Sequence, residues 1–64
     1  MEKEVYLKDV QAASVVGLSV QTLRNLRFRG RGPDYVKQGR AVRYPYSALV
    51  MWMESKRVRL NPEG

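Results

Sequence analysis

Residues 15–23 read VVGLSVQTL. Two valines close one helical pattern, Gly17 interrupts it, and Ser19 stands immediately before the next. Glycine past the end of a helix takes the left-handed conformation that side chains resist. A serine hydroxyl ahead of a helix accepts from the free N–H groups of its first turn, here those of Gln21 or Thr22. The stretch therefore predicts a helix, a glycine turn and a capped helix, with Leu18 pointing inward. That spacing belongs to a helix-turn-helix and equally to a plain helical hairpin.

Upstream, Val10, Ala13 and Val16 recur every third residue and predict a helix over about Asp9–Val16 with those three on its apolar stripe. Asp9 or Lys8 is its N-cap, and Asp is the better capper. Tyr6 and Leu7 precede it, where they can pack back onto the first turns.

Downstream, the second helix runs from about Val20 to Phe28. At ~100° per residue, Val20, Leu23, Leu26 and Arg27 fall on one side. Gln21, Thr22, Arg24, Asn25, Phe28 and Arg29 fall on the other. These outward residues are largely the types that read base edges: Arg pairs with guanine, Asn or Gln with adenine, and Thr with several partners. No acid sits on that face to repel a phosphate.

The connector RGRGPDY (29–35) cannot continue a helix. YVKQGRAVRY (35–44) then predicts a β-hairpin, Tyr35–Gln38 and Ala41–Tyr44 around Gly39-Arg40. Val36 and Val42 are expected inward, with Lys37, Arg40 and Arg43 near the tip. Such charges either protect an edge hairpin from aggregation or form a basic wing. Pro45 suits the first turn of a last helix, from Tyr46 to about Arg57, with Trp52 as core anchor beside Leu49 and Met53. Val50 and Met51 leave apolar surface on a second face, which either closes the core or meets a partner. Lys56, Arg57 and Arg59 complement the helix dipole. Residues 1–4 and 61–64 are expected to fray.

Sixty-four residues make one domain, near the lower size at which a core holds a fold unaided; its ordered part is expected over about 6–58. Cysteine and histidine are both absent. This excludes disulfides and cysteine zinc sites, and removes the commonest metal ligand and general base. No enzyme, metal or cofactor is expected. The chain carries +6 at pH 7 with a pI near 10.2. The excess is concentrated at Arg24, Arg27, Arg29, Arg31, Lys37, Arg40 and Arg43, opposed over that span by Asp34 alone. Such segregation favours an anionic partner, nucleic acid before membrane. No apolar run approaches the ~20 residues that span a bilayer. The start of the chain lacks the apolar segment of a signal peptide, so a cytoplasmic protein is expected. The arginine-rich helix also lacks a broad apolar face for a membrane surface. An RNA-binding module has few stacking aromatics, Phe28 and Tyr35. An adaptor for an acidic protein is a further alternative.

Taken in order, these pieces resemble the excisionase-type, MerR-like winged helix-turn-helix family of phages, plasmids and integrating elements, over about Tyr6–Arg57. Ala12, Ala13, Val15, Val16, Gly17, Leu18 and Ser19 match the family's turn, and Thr22, Leu23 and Arg24 open its recognition helix. Gly30, Gly32 and Pro33 match the connector. Gly39, Arg40, Val42, Arg43 and Tyr44 match the wing, and Leu49 and Trp52 the closing helix. The chain departs at Lys8, where Ser or Thr is frequent, at Leu26, often an aromatic, and at Phe28, usually charged.

The resemblance implies a small α+β fold: helix-turn-helix, two-stranded β-hairpin wing and C-terminal helix. It implies sequence-selective binding of double-stranded DNA, with Val20–Phe28 in the major groove. Gln21, Thr22, Arg24 and Asn25 would face bases; Ser19, Arg27, Arg29, Arg31, Lys37 and Arg43 would hold phosphates. Arg40 at the wing tip would enter the minor groove. About five neutralised phosphates give a slope of log K on log salt of roughly −4.5. The role implied is a recombination directionality factor in the nucleoid of a bacterial host. It would bind near attachment sites, bend DNA and steer a tyrosine or serine integrase toward excision, with cooperative self-association on adjacent sites. A transcriptional regulator of a mobile element would use the same surface.

Overall fold

The computed structural model describes residues 3–60, so the expected fraying of residues 1–2 and 61–64 lies outside the described residues. In chain order the elements are β1 (Tyr6–Leu7), α1 (Asp9–Val16), α2 (Val20–Phe28), β2 (Val36–Gln38), β3 (Ala41–Pro45) and α3 (Tyr46–Ser55). This is the expected winged helix-turn-helix with one additional strand. Tyr6 and Leu7, expected only to pack on α1, pair antiparallel with Pro45 and Tyr44, giving a three-stranded sheet in the order β1-β3-β2.

Local chemistry explains the helix ends. Lys8 is the N-cap of α1, and it works through its backbone: its N–H donates to Gln11 Oε1 at 3.0 Å. Gly17 adopts φ 74°, with its N–H donating to the Ser14 carbonyl and that of Leu18 to Ala13. Ser19 Oγ accepts from the Thr22 N–H at 3.1 Å and opens α2. Gly30 closes α2 at φ 67°, with Gly30 N–H donating to Arg27 O and Arg31 N–H to Leu26 O. Both glycines thus make the paired bonds of a Schellman motif, satisfying carbonyls that a helix end leaves free.

The core comprises Ala12, Ala13, Val16, Leu23, Tyr44 and Leu49, with Leu7, Leu18, Val20, Val42 and Trp52 packed around it. Two expectations are corrected. Val10 is 61 % exposed, whereas Ala12 is fully buried. α1 packs against α2, α3 and β3 at once, and the Ala12-Ala13 pair is the small surface that lets three elements approach. Trp52 is only half-buried; Tyr44, from the wing, is the largest fully buried side chain. Trp52 lies at the periphery, where its Nε1 donates to the Arg31 carbonyl at 3.3 Å and ties the connector to α3. Gly32 lies under Leu26, so close that a Cβ there would sit 3.3 Å from the Leu26 Cβ.

Glu4 was expected to fray, yet it accepts from both the N–H and the hydroxyl of Ser47. Pro45 is the N-cap of α3 and has no side-chain acceptor to offer. The carboxylate supplies it from the start of the chain, and the Tyr46 N–H donates to the Val5 carbonyl at 2.8 Å. Hydrogen bonding to Ser47 holds the Glu4 carboxyl below its ordinary range. α3 ends at Ser55, short of the expected Arg57, with Lys56 as its C-cap.

Candidate nucleic-acid interface

Helix α2 is oriented by its inner face. Leu23 is fully buried, and Val20, Leu26 and Arg27 are half-buried. Gln21, Thr22, Arg24, Asn25, Phe28 and Arg29 are exposed. This is the division that helical spacing predicts. The exposed groups are prearranged by short-range bonds. Ser19 Oγ donates to Thr22 Oγ1 at 2.8 Å, while Gln21 Nε2 donates to Asn25 Oδ1 at 3.1 Å one turn on.

Two arginines of α2 have partners that sequence spacing did not indicate. Arg24 Nε donates to Asp9 Oδ2 at 2.8 Å, so α1 brings a carboxylate to the face expected to be free of acids. The guanidinium holds the Asp9 carboxyl below its ordinary range, through this hydrogen bond first. Arg27 Nη1 donates to the Tyr44 hydroxyl at 3.1 Å, and its guanidinium lies 5.8 Å from the centroid of the Tyr35 ring. Arg27, expected on a phosphate, is therefore drawn inward between α2 and the wing.

Register sorts the wing. Val36 opposes Arg43, Lys37 opposes Val42 and Gln38 opposes Ala41. Opposed residues share a face, and faces alternate along a strand. Because Tyr44 is buried, Val42 and Lys37 lie on its side, while Val36 and Arg43 lie on the other. Val36, expected inward, is accordingly 47 % exposed. The two-residue turn at Gly39-Arg40 sets Val36 opposite Arg43, so Val36 and Val42 cannot share a face. Gly39 turns the hairpin at φ 60° with Arg40 beside it at the tip.

Lys37 and Arg40 thus join Arg27, Phe28, Tyr35, Gly39 and Val42 around a groove of about 500 Å³ between α2 and the wing. Phe28, which sequence alone could not place, is at its rim, 87 % exposed. Arg43 instead borders a separate apolar groove with Tyr6, Val36, Gln38 and Ala41, and its Nη1 donates to the Val42 carbonyl at 2.9 Å. Arg29 and Arg31 are exposed beyond the end of α2. Among the anticipated residues, then, Ser19, Gln21, Thr22, Arg24, Asn25, Arg29 and Arg31 gather on or beside α2, and Lys37 and Arg40 on the wing. Asp9 and Tyr44 enter only through tertiary contacts.

Among the described residues no helix is long and apolar enough to cross a membrane. No significant match to the chain is found among curated proteins. A family model described as a helix-turn-helix domain matches residues 6–57. That span runs from β1 through α3 and contains the capped turn, the exposed face of α2 and the basic wing. The chain belongs to this helix-turn-helix domain family, and DNA is its partner.

Proposed function

We propose that the protein binds duplex DNA sequence-selectively, with α2 in the major groove and the tip of the wing against the neighbouring minor groove. The observation that supports this best is the exposed face of α2: Gln21, Thr22, Arg24 and Asn25 carry base-edge donors and acceptors, and Ser19 caps the helix that presents them. Arg29 and Arg31 beyond the helix end and Lys37 on the wing hold phosphates, and Arg40 enters the minor groove. Ser19 Oγ is committed to Thr22, so a phosphate contact there falls to the free backbone N–H groups of the helix start. Arg27, hydrogen-bonded to Tyr44, shapes the interface, while Arg43 is turned to the opposite face of the wing. With about four phosphates neutralised, log K falls with log salt at a slope of roughly −3.6.

The role we infer is that of an excision factor, an architectural protein that binds beside attachment sites, bends the DNA and directs an integrase. One domain this small reads few base pairs, which favours several copies on adjacent sites. Selection of bound duplexes from a randomised pool, repeated with Arg24→Ala and Arg29→Ala, tests the recognition. Arg24→Ala should lose preference at particular base pairs, and Arg29→Ala should weaken all sequences alike. Unchanged base preference in Arg24→Ala would refute the assignment. An excision assay with the cognate integrase separates this role from that of a transcriptional regulator, which the same surface would serve.

A further inference from the structure

We propose that Asp9 is a positioning residue that sets the base preference of Arg24. The inference rests on α2 being the recognition helix and names what makes one of its arginines selective.

The geometry is specific. Asp9 engages Arg24 through Nε, the innermost nitrogen of the guanidinium, at 2.8 Å. Among the described residues this is the one hydrogen bond of the Arg24 side chain, so both terminal amino groups remain available. Guanine presents O6 and N7 side by side in the major groove, and an arginine satisfies both with two parallel N–H donors. A carboxylate that holds Nε fixes the plane and direction of the fork while leaving its outer end open. Free arginine side chains sample many rotamers, and ordering one on binding opposes affinity. In this protein the ordering is largely done before DNA arrives.

Charge balance points the same way. Asp9 side-chain exposure is 21 % and that of Arg24 is 45 %, and a pair this exposed contributes little to stability. A carboxylate beside a DNA-binding face repels phosphates, so on affinity alone the position favours a neutral residue. Its presence weakens binding to every sequence, and the pairing recovers that loss only where Arg24 meets its proper base. Discrimination through a repulsive element is the expected signature of such an arrangement. Asp9 also lies in the first turn of α1, where an acid suits the helix dipole. That alternative predicts an effect on folding and none on base choice.

The test compares Asp9→Asn, Arg24→Ala, Arg24→Lys and the double variant Asp9→Asn/Arg24→Ala on randomised duplex oligonucleotides at one salt concentration. Asp9→Asn should bind the unselected pool as tightly as the parent or more so, and should lose about tenfold in preference for guanine at one position. Arg24→Lys keeps the charge without the fork and should lose the same preference. The double variant should lose no more than Arg24→Ala alone, because Asp9 acts on base choice only through Arg24. If Asp9→Asn keeps the guanine preference while Arg24→Ala loses it, Asp9 does not position Arg24. If neither changes base preference at any position, α2 does not read DNA through Arg24 and the underlying recognition reading fails.

Discussion

Arg27 of α2 donates Nη1 to the hydroxyl of Tyr44, the wing residue buried at the centre of the domain. The bond spans 17 positions in sequence and joins the helix proposed to enter the major groove to the strand that carries the wing. Tyr35 closes the arrangement, its ring 5.9 Å from that of Tyr44 and beneath the Arg27 guanidinium. The helix and the wing are thereby held in a fixed relation.

Tyr44→Phe removes the acceptor and keeps the ring. A hydrogen bond to a charged group of this kind contributes about 1–2 kcal/mol when solvent reaches one partner. Urea denaturation should register a loss of that size with an unchanged m-value. Parental stability in Tyr44→Phe would show that the link contributes nothing.

Leu49→Ala should be far more damaging. Leu49 is fully buried in a core of few residues, and truncating such a leucine costs about 2–5 kcal/mol. Domains of this size have about that much stability in total. The variant should be largely unfolded at 25 °C by circular dichroism, with partial recovery on added DNA, which binds the folded form.

Glu4 makes the domain sensitive to acid. Its folded pKa is depressed by the hydrogen bonds from Ser47. The unfolded chain therefore takes up a proton at higher pH than the folded one does. The contribution is complete above the ordinary glutamate value, about 4.3, and is lost as pH falls through the depressed folded value. Asp9, depressed by Arg24, acts in the same direction. Glu4→Gln should melt lower than the parent at neutral pH, and the difference should shrink as both are acidified. A difference that does not change with pH would exclude the carboxylate as the cause.

Phe28→Ala should leave stability within about 0.5 kcal/mol of the parent, because the ring covers almost nothing in the free protein. If the groove between α2 and the wing faces DNA, the same change should weaken binding at constant salt slope, since no charge is removed. Equal affinity for DNA would place Phe28 outside the interface.

Much of this molecule is legible along the chain because its signals are local. Gly17, Ser19 and Gly30 act within a few residues of themselves, through backbone conformation and short hydrogen bonds. The bounds of α1 and α2, the Gly39 turn and the exposed face of α2 follow from such signals with helical and strand periodicity. The two-residue β1 carries no period of its own and becomes a strand only because β3 offers it an edge.

The remainder depends on contacts between distant residues, which spacing does not encode. The two-residue turn puts Val36 and Val42 on opposite faces of the wing, and burial of Tyr44 decides that Val42 is the one turned inward. Close packing of three elements on α1 buries Ala12 and leaves Val10 in solvent. Composition shows a chain rich in arginine, but not what each arginine holds. Asp9 meets Arg24 across 15 positions and Ser47 meets Glu4 across 43, because folding sets the start of α1 beside α2 and the start of α3 beside Glu4. The sequence by itself determined the bounds of α1 and α2, the glycines that end them and the side chains that α2 exposes. Tertiary structure decided which of those side chains are already restrained, since an ion pair or a buried hydroxyl exists only where packing places both partners within about 3 Å.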